Sequence, residues 1–187
     1  DDGDQAFTIE TGAFSSTDTN FDGVNPADVA ATNTDNDTAG ITVDPTTGTT
    51  TEAGGTDTFT IVLDTLPSAD VTIGLSSDDT GEGTVSPASV TFTTANWDTP
   101  QTVTATGVED AVDDGDQGYT IETAAATSTD GGYDGLNAAD VAMTNSDDDA
   151  AGITVTPTAG LVTTEALGTA TFTVVLHTQP TADVTIA

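Results

Sequence analysis

An internal repeat with a period of about 112 residues constrains the architecture of this chain more than any other feature. Asp113–Gln117 repeats Asp1–Gln5, and about two-thirds of the positions that follow match the first copy. After one inserted residue near Leu161 the match continues to the end of the chain. Such a repeat predicts one complete unit between parts of two others, taken from a longer tandem array. The predicted boundaries are 1–39 for the back part of a preceding unit, 40–150 for the complete unit, and 151–187 for the front part of a following unit.

Within the complete unit, apolar and polar residues alternate in short runs. Phe59, Ile61 and Leu63 alternate with threonine and valine, and similar runs surround Val71 and Tyr119. This period of two is typical of β-strands with one buried face. Turn-forming residues bound each run. About seven short strands per unit predict an all-β fold of tandem, immunoglobulin-like antiparallel sandwiches.

Composition excludes several classes of function. The chain has 32 acidic residues, no Lys or Arg, and a formal net charge of −32. Binding to nucleic acid or to an anionic membrane surface requires cationic side chains, so neither is expected. No apolar run is long enough to insert into a bilayer. Without Cys or Lys, and with His177 as the single histidine, the chain lacks the residues for Ser-His-Asp or lysine-based nucleophiles. The composition is compatible with a glycosidase-type pair of carboxylates, but nothing distinguishes one pair from the other acidic residues, and we expect no enzyme activity.

The acidic residues are clustered, and the chain supplies no cation to neutralise them. One cluster runs from Glu109 to Asp116 and a second is Asp147–Asp149. A hard divalent cation with oxygen ligands is the simplest partner, because Ca²⁺ accepts about 6 to 8 oxygens in irregular geometry. A solvated acidic surface is the alternative interpretation of such charge.

These motifs resemble the Calx-beta domain, found in the regulatory loop of sodium–calcium exchangers and in tandem in bacterial surface adhesins. The resemblance rests on Val108–Tyr119, on Asp147–Val155, and on Thr51–Gly55 with its repeat at Thr164–Gly168. It implies an immunoglobulin-like sandwich that binds Ca²⁺ at one end, where acidic loops meet the junction to the next unit. The implied ligands of the complete unit are Glu52, Glu109, Asp110, Asp114, Asp147, Asp148 and Asp149, with Asp113 and Asp116 as neighbours. Asp2, Asp35 and Asp37 would belong to the preceding site, and Glu165 to the following one.

The sequence departs from the family pattern at several positions. Gln117 and Gln5 replace an expected Glu, and Asn36 replaces the middle junction Asp of the first copy. We expect more than one Ca²⁺ per junction, and these departures leave the number of ions and their affinity open.

The function expected from these features is structural. The chain would be a non-catalytic extender module of a secreted bacterial adhesin or surface filament, stiffened by Ca²⁺ at its junctions. Its partners would be neighbouring repeats and other copies in a filament. An adhesive module that binds a glycan or a cell-surface protein, either here or elsewhere in the full protein, is the alternative.

Overall fold

The computed structural model describes residues 1–186, in which the chain forms thirteen β-strands and no helix. Helices capable of crossing a membrane are therefore absent from these residues. The strands before the central part are β1 (Gln5–Ile9) and β2 (Val29–Asn33). The central strands are β3 (Ile41–Asp44), β4 (Thr47–Thr51), β5 (Thr56–Leu63), β6 (Val71–Ser77), β7 (Gly83–Ser86), β8 (Ser89–Phe92), β9 (Gln101–Gly107), β10 (Gln117–Thr123) and β11 (Val141–Ser146). The last strands are β12 (Ile153–Thr156) and β13 (Thr173–Leu176).

The nine central strands form two sheets, which we call the sandwich (residues 41–146). One sheet has the order β3-β5-β9-β7 and the other has the order β4-β11-β10-β6-β8. All of their pairings are antiparallel except that of β4 with β11, which is parallel and aligns Thr47 with Ala142 and Thr51 with Ser146. The predicted all-β sandwich is therefore confirmed, with one parallel pair at an edge that sequence alternation does not predict.

The alternating apolar residues of the sandwich meet between the two sheets. In β5, Phe59, Ile61 and Leu63 are buried, as the period of two predicts. They pack into one core with residues of the facing sheet, including Ile121 and Met143. Burial of this apolar surface is the main favourable contribution to folding.

The loop between β10 and β11 closes one side of the core with two polar anchors. The buried Tyr133 hydroxyl donates to the carbonyl oxygen of Thr65 at 2.7 Å and accepts from the Thr65 backbone N–H at 3.0 Å. The buried carboxylate of Asp130 accepts from the backbone N–H of Ser68 at 2.6 Å. In both anchors the buried polar atoms have hydrogen-bond partners.

The structure has nine strands per unit where the sequence pattern predicts about seven. The short strands β4 and β7 are rich in Thr, Ser and Gly and carry little apolar alternation. Their pairing is decided by tertiary contacts with β11 and β9. Sequence periodicity detects burial, so edge strands with few buried side chains escape it.

The flanking strands repeat the pairings of the sandwich. Pairing of β1 with β2 aligns Gln5 with Asn33, as β10 and β11 align Gln117 with Asn145. Strands β12 and β13 likewise repeat the register of β3 and β5. The unit boundaries 1–39, 40–150 and 151–187 themselves stay a prediction.

Candidate metal centre

Three strands end close together at one end of the sandwich, and the acidic motifs follow them. Glu52 comes directly after β4, Glu109 and Asp110 follow β9, and Asp147–Asp149 follow β11. The Glu52 backbone N–H donates to the carbonyl oxygen of Ser146 at 3.1 Å, which extends the parallel pair by one residue. The topology therefore brings motifs from distant parts of the sequence to one place.

Glu52, Asp110 and Asp149 each present a carboxylate oxygen to the others, and these three oxygens lie within 4.8 Å of one another. Glu52 is only 1% exposed. Its Oε2 atom and the Oδ2 atom of Asp149 are buried without a hydrogen-bond partner. Unpaired buried carboxylate oxygens are costly, and the chain has no Lys or Arg that could pair with them.

The dimensions of the cluster suit Ca²⁺. Oxygens bound to one Ca²⁺ lie about 2.3–2.6 Å from the ion, so two such oxygens are at most about 5 Å apart. The three carboxylates satisfy this limit. They come from three separate loops, so an ion bound here would cross-link those loops.

The negative charges of the cluster also affect the pKa of Glu52. Burial, followed by the charges of Asp147 and Asp110, raises the pKa of Glu52 to about 7. The backbone N–H of Asp148 acts in the opposite direction. The surroundings of Glu52 therefore disfavour its ionised form, and a bound cation would stabilise that form.

Two neighbouring acids respond in the same direction. Loss of solvent, then the charges of Asp148 and Asp149, raises the pKa of Glu109. Loss of solvent, then the charge of Asp147, also raises the pKa of Asp149. Glu109 is thus close enough to share the field of the cluster, although it is not one of its three members.

Three other predicted residues use their carboxylates to hold loop backbone. Asp113 Oδ2 accepts from the Ala151 N–H at 2.7 Å, and Asp116 Oδ1 accepts from the Asp147 N–H at 3.1 Å. Asp147 accepts from Gly115 and Asp149 N–H groups, each at 2.7 Å. These bonds tie the loop after β9 to the junction after β11. Asp114 and Asp148 are the remaining predicted residues, and neither is in the three-carboxylate cluster.

The preceding copy has the same loop network. Asp35 accepts from the N–H groups of Gly3 and Asp37 at 2.7 and 2.9 Å, and these bonds lower its pKa. Asp1 and Asp4 repeat the bonds of Asp113 and Asp116, although sequence reasoning did not select them. The side chains of Asp2 and Asp37 are exposed, as is that of Glu165 in the following copy. Around these residues the structure forms no cluster of three carboxylates within the part of the chain it describes.

A buried polar network supports the candidate centre, and sequence reasoning missed it. The fully buried Asn145 accepts from the Thr50 hydroxyl at 3.1 Å and donates to the Val108 carbonyl oxygen at 3.1 Å. Its amide also reaches Glu82 Oε2 at 3.4 Å, and the charge of Glu82 contributes to the raised pKa of Glu52. Asn145 thus fixes the strand ends before Glu52 and Glu109. A polar residue at a core-facing position of β11 is the signal that could have found it.

Gly107, the last residue of β9, lets strand β9 come close to β4 and β11 next to the candidate metal centre. A Cβ atom there would lie 2.2 Å from the Thr51 carbonyl oxygen and 2.3 Å from Asn145 Oδ1. Only a residue without a side chain fits between β4 and β11 at this point.

No protein-family model matches the sequence, and no curated protein matches it. Solved structures with similar folds include WR4, an MSP family member from C. elegans, at 14% identity and a TM-score of 0.38, over 57% of this chain and 95% of that one. The E. coli chaperone DraB is similar at 8% identity and a TM-score of 0.42, over 63% of this chain and 60% of that one. Domains 1–6 of the surface layer protein SbsC are similar at 14% identity and a TM-score of 0.34, over 79% of this chain and 23% of that one.

Proposed function

We propose that this chain is a non-catalytic structural module of an extracellular bacterial surface protein, and that Ca²⁺ bound at the ends of its sandwiches fixes each junction to the next unit. The observation that carries the proposal is the Glu52, Asp110 and Asp149 cluster, whose oxygens lie within 4.8 Å in a chain without Lys or Arg. The Calx-beta resemblance of the surrounding motifs favours the same ion.

The mechanism is mechanical. Glu52 belongs to the end of β4 and Asp110 to the loop after β9, whereas Asp149 lies in the segment that leads to β12. An ion held by all three ties the sandwich to the segment that enters the next unit. The carboxylates repel one another without the ion, which loosens a junction that is otherwise held only by hydrogen bonds; with the ion bound the junction becomes fixed, and a tandem array becomes a rod.

The loop bonds already present would prepare the junction for the ion. Asp113 and Asp116 hold the backbone at Ala151 and Asp147, so the segment is attached at two points before the ion binds, and the ion has to fix only the repelling carboxylates between them. A further contact crosses the junction, since the Gln179 N–H donates to the Ala111 carbonyl oxygen at 2.6 Å. Preorganisation of this kind reduces the entropic cost of binding.

The alternative function, a module that binds a glycan or a host protein, gains no support from the tryptophan. Trp97, the single tryptophan, is half-buried and packs against the hydrophobic core. It is therefore not a free stacking platform for a sugar. Glycan-array binding by one intact unit would favour this alternative.

Small-angle scattering of a protein with two or more consecutive units tests the proposed joint. We expect a larger maximum dimension and a narrower distance distribution in millimolar Ca²⁺ than in a chelator. Equal extension in the two buffers, with Ca²⁺ shown to be bound, would refute the mechanical role. An Asp149→Asn variant should remain as flexible in Ca²⁺ as the parent protein is in chelator.

A further inference from the structure

The loop after β9 contacts the folded part of the next unit as well as the segment that leads to it. The Gln179 N–H donates to the Ala111 carbonyl oxygen at 2.6 Å. Gln179 follows β13, which pairs with β12 over four residues. The His177 N–H also donates to the Gly152 carbonyl oxygen at 2.9 Å, which holds the end of β13 to the start of β12. A contact at Gln179 therefore acts on the whole β12–β13 pair.

The other hydrogen bonds across the junction end in the connecting segment. Asp113 Oδ2 accepts from the Ala151 N–H, and Asp116 Oδ1 accepts from the Asp147 N–H. Each residue of such a segment has two soft backbone torsions, so the following strands can rotate about it. Within the described residues, the bond from Gln179 is the one hydrogen bond between the sandwich and the chain beyond Ala151. It is placed to remove this rotation.

The loop itself aims the acceptor of this bond. Asp110 Oδ1 accepts from the Val112 N–H at 2.7 Å, and the Asp114 N–H donates to the Val112 carbonyl oxygen at 3.0 Å. The Ala111 carbonyl and the Val112 N–H belong to one planar peptide, in which they point in opposite directions. The bond that holds the Val112 N–H to Asp110 therefore directs the Ala111 carbonyl oxygen away from Asp110, towards the next unit.

Val112 adds an apolar side chain to the same contact. It is half-buried, whereas its neighbours Ala111 and Asp113 are exposed. It lines the same hollow as Leu176 and Pro180 of the next unit. An apolar side chain with polar residues around it is the usual composition of an interface between folded units.

The segment that receives the loop recurs with the repeat. Thr178–Pro180 corresponds to Thr65–Pro67 of the sandwich, with the threonine and the proline kept. The middle residue differs, since Gln179 corresponds to Leu66. A contact made by the backbone N–H of the middle residue is compatible with either side chain. Each unit can therefore offer the same donor to the unit before it.

From these contacts we infer that the Asp110–Asp113 loop is a docking surface that fixes the orientation of the next unit, with the Ala111 carbonyl oxygen as acceptor and the Gln179 N–H as donor. The docked surface is the Thr178–Pro180 segment of that unit. Asp110 also belongs to the three-carboxylate cluster, so one loop carries both a candidate metal ligand and the docking contact. The inference does not rest on the calcium function, because the docking bond joins two backbone groups.

The distance between two spin labels measures this orientation, and the absence of Cys from the chain allows specific labelling. Thr58→Cys places one label on β5 of the sandwich, and Val175→Cys places the other on β13, both at exposed positions. Double electron–electron resonance of this labelled parent chain should give a single narrow distance distribution. Gln179→Pro deletes the N–H donor, and the narrow peak should be lost.

Two further variants separate docking from side-chain effects and from misfolding. Gln179→Ala keeps the N–H and should retain the narrow peak of the parent chain. Val112→Ser changes the contact from the side of the loop, keeps the Val112 N–H, and should broaden the peak. Amide exchange in β12 and β13 should be unchanged in every variant. If Gln179→Pro loses this protection, Val112→Ser decides between docking and no docking.

All distances are measured in Ca²⁺ and in chelator, so that failure of the docking contact and failure of the calcium function can be distinguished. Peaks as narrow in Gln179→Pro and Val112→Ser as in the parent chain, in both buffers, would overturn the inference. Equal broadening in Gln179→Ala and Gln179→Pro would also overturn it, because the side chain would then make the contact. Without a calcium function, Ca²⁺ would leave the distances and the melting temperature of the parent chain unchanged, while the difference between the parent chain and Gln179→Pro would persist.

Discussion

Glu52 lies in a buried position, where a charged carboxylate is energetically unfavourable. It is 1% exposed, has an unpartnered Oε2, and lies among Asp110, Asp147 and Glu82. A side chain in this position weakens the fold unless it is protonated or paired with a cation.

Replacing Glu52 with Gln should separate its effect on the stability of the metal-free fold from its effect on Ca²⁺ binding. Without divalent ions, the melting temperature of the Glu52→Gln variant should equal or exceed that of the parent, because the repulsion with Asp110 and Asp147 is removed. In Ca²⁺ the variant should bind at least about tenfold more weakly, a loss of about 1.4 kcal/mol. Isothermal titration calorimetry and thermal melting measure the two effects. Glu122→Gln, at an exposed position of β10, removes the same charge and should change neither.

The pH dependence of stability should be unusual without metal. A carboxyl group whose folded pKa is raised, as that of Glu52 is to about 7, stabilises the fold fully below its unfolded pKa and loses this contribution as pH rises through about 7. The raised pKa values of Glu109 and Asp149 act in the same direction. In chelator, the melting temperature should therefore increase as pH falls from 8 to 5.

Calcium should reverse this trend. Ca²⁺ competes with protons for the same carboxylates, so its affinity should decrease as pH falls below about 7. Melting curves recorded across the pH range with and without Ca²⁺ would contradict the account if the metal-free protein were most stable at pH 8.

At the scale of elements, the positions of the strand ends around the candidate metal centre depend on the buried side-chain amide of Asn145. Asn145 in β11 links β4 through Thr50 and the end of β9 through Val108. Gly107 keeps β9 close to these two strands. Changes here should affect the stability of the sandwich and, through the strand ends, the geometry of the acidic loops.

Replacing Asn145 with Ala should lower the free energy of unfolding by about 2–3 kcal/mol, because the polar groups of Thr50 and Val108 lose a buried partner and a cavity forms. The repeat offers a matched control, since Asn33 is the counterpart of Asn145 in β2 and is exposed. Denaturant titration of Asn33→Ala should give a change below about 0.5 kcal/mol. Equal effects of the two substitutions would contradict a special role of the network.

Replacing Gly107 with Ala should cost about 1–3 kcal/mol, because the new methyl group meets the Thr51 carbonyl oxygen. Gly118 in β10 is the control, as a Cβ there would approach nothing closer than the Met143 carbonyl oxygen at 3.9 Å. Chemical denaturation should show that Gly118→Ala is nearly neutral. A neutral Gly107→Ala would show that β4 and β9 can separate without loss.

The predictable elements are those in which burial leaves a sequence pattern. Alternation in β5 and β10 predicts strands because Phe59, Ile61 and Ile121 face the core. It does not predict β4, whose threonines pair with β11 at an edge. The acidic clusters predict a cation site, but the burial of Glu52 and the part played by Glu82 arise from packing between loops distant in sequence.

At the scale of the whole molecule, the same hydrogen bonds between aspartate side chains and loop backbone recur along the chain with the repeat. The loop bonds of Asp113, Asp116 and Asp147 recur at Asp1, Asp4 and Asp35. Each junction therefore has the same backbone arrangement, and each would present acids to the segment entering the next unit. A chain with a net charge of −32 and no internal cation depends on its surroundings for neutralisation.

Thermal melting of this chain at pH 7.5, in millimolar Ca²⁺ and in chelator, tests the central claim most directly. Binding to the folded state alone stabilises by about 2.7 kcal/mol at a ligand concentration 100 times the dissociation constant. We predict that the melting temperature rises with Ca²⁺ concentration, and that the rise is lost in Glu52→Gln but kept in Glu122→Gln. Melting curves that coincide with and without Ca²⁺ would contradict the claim that calcium holds the junction.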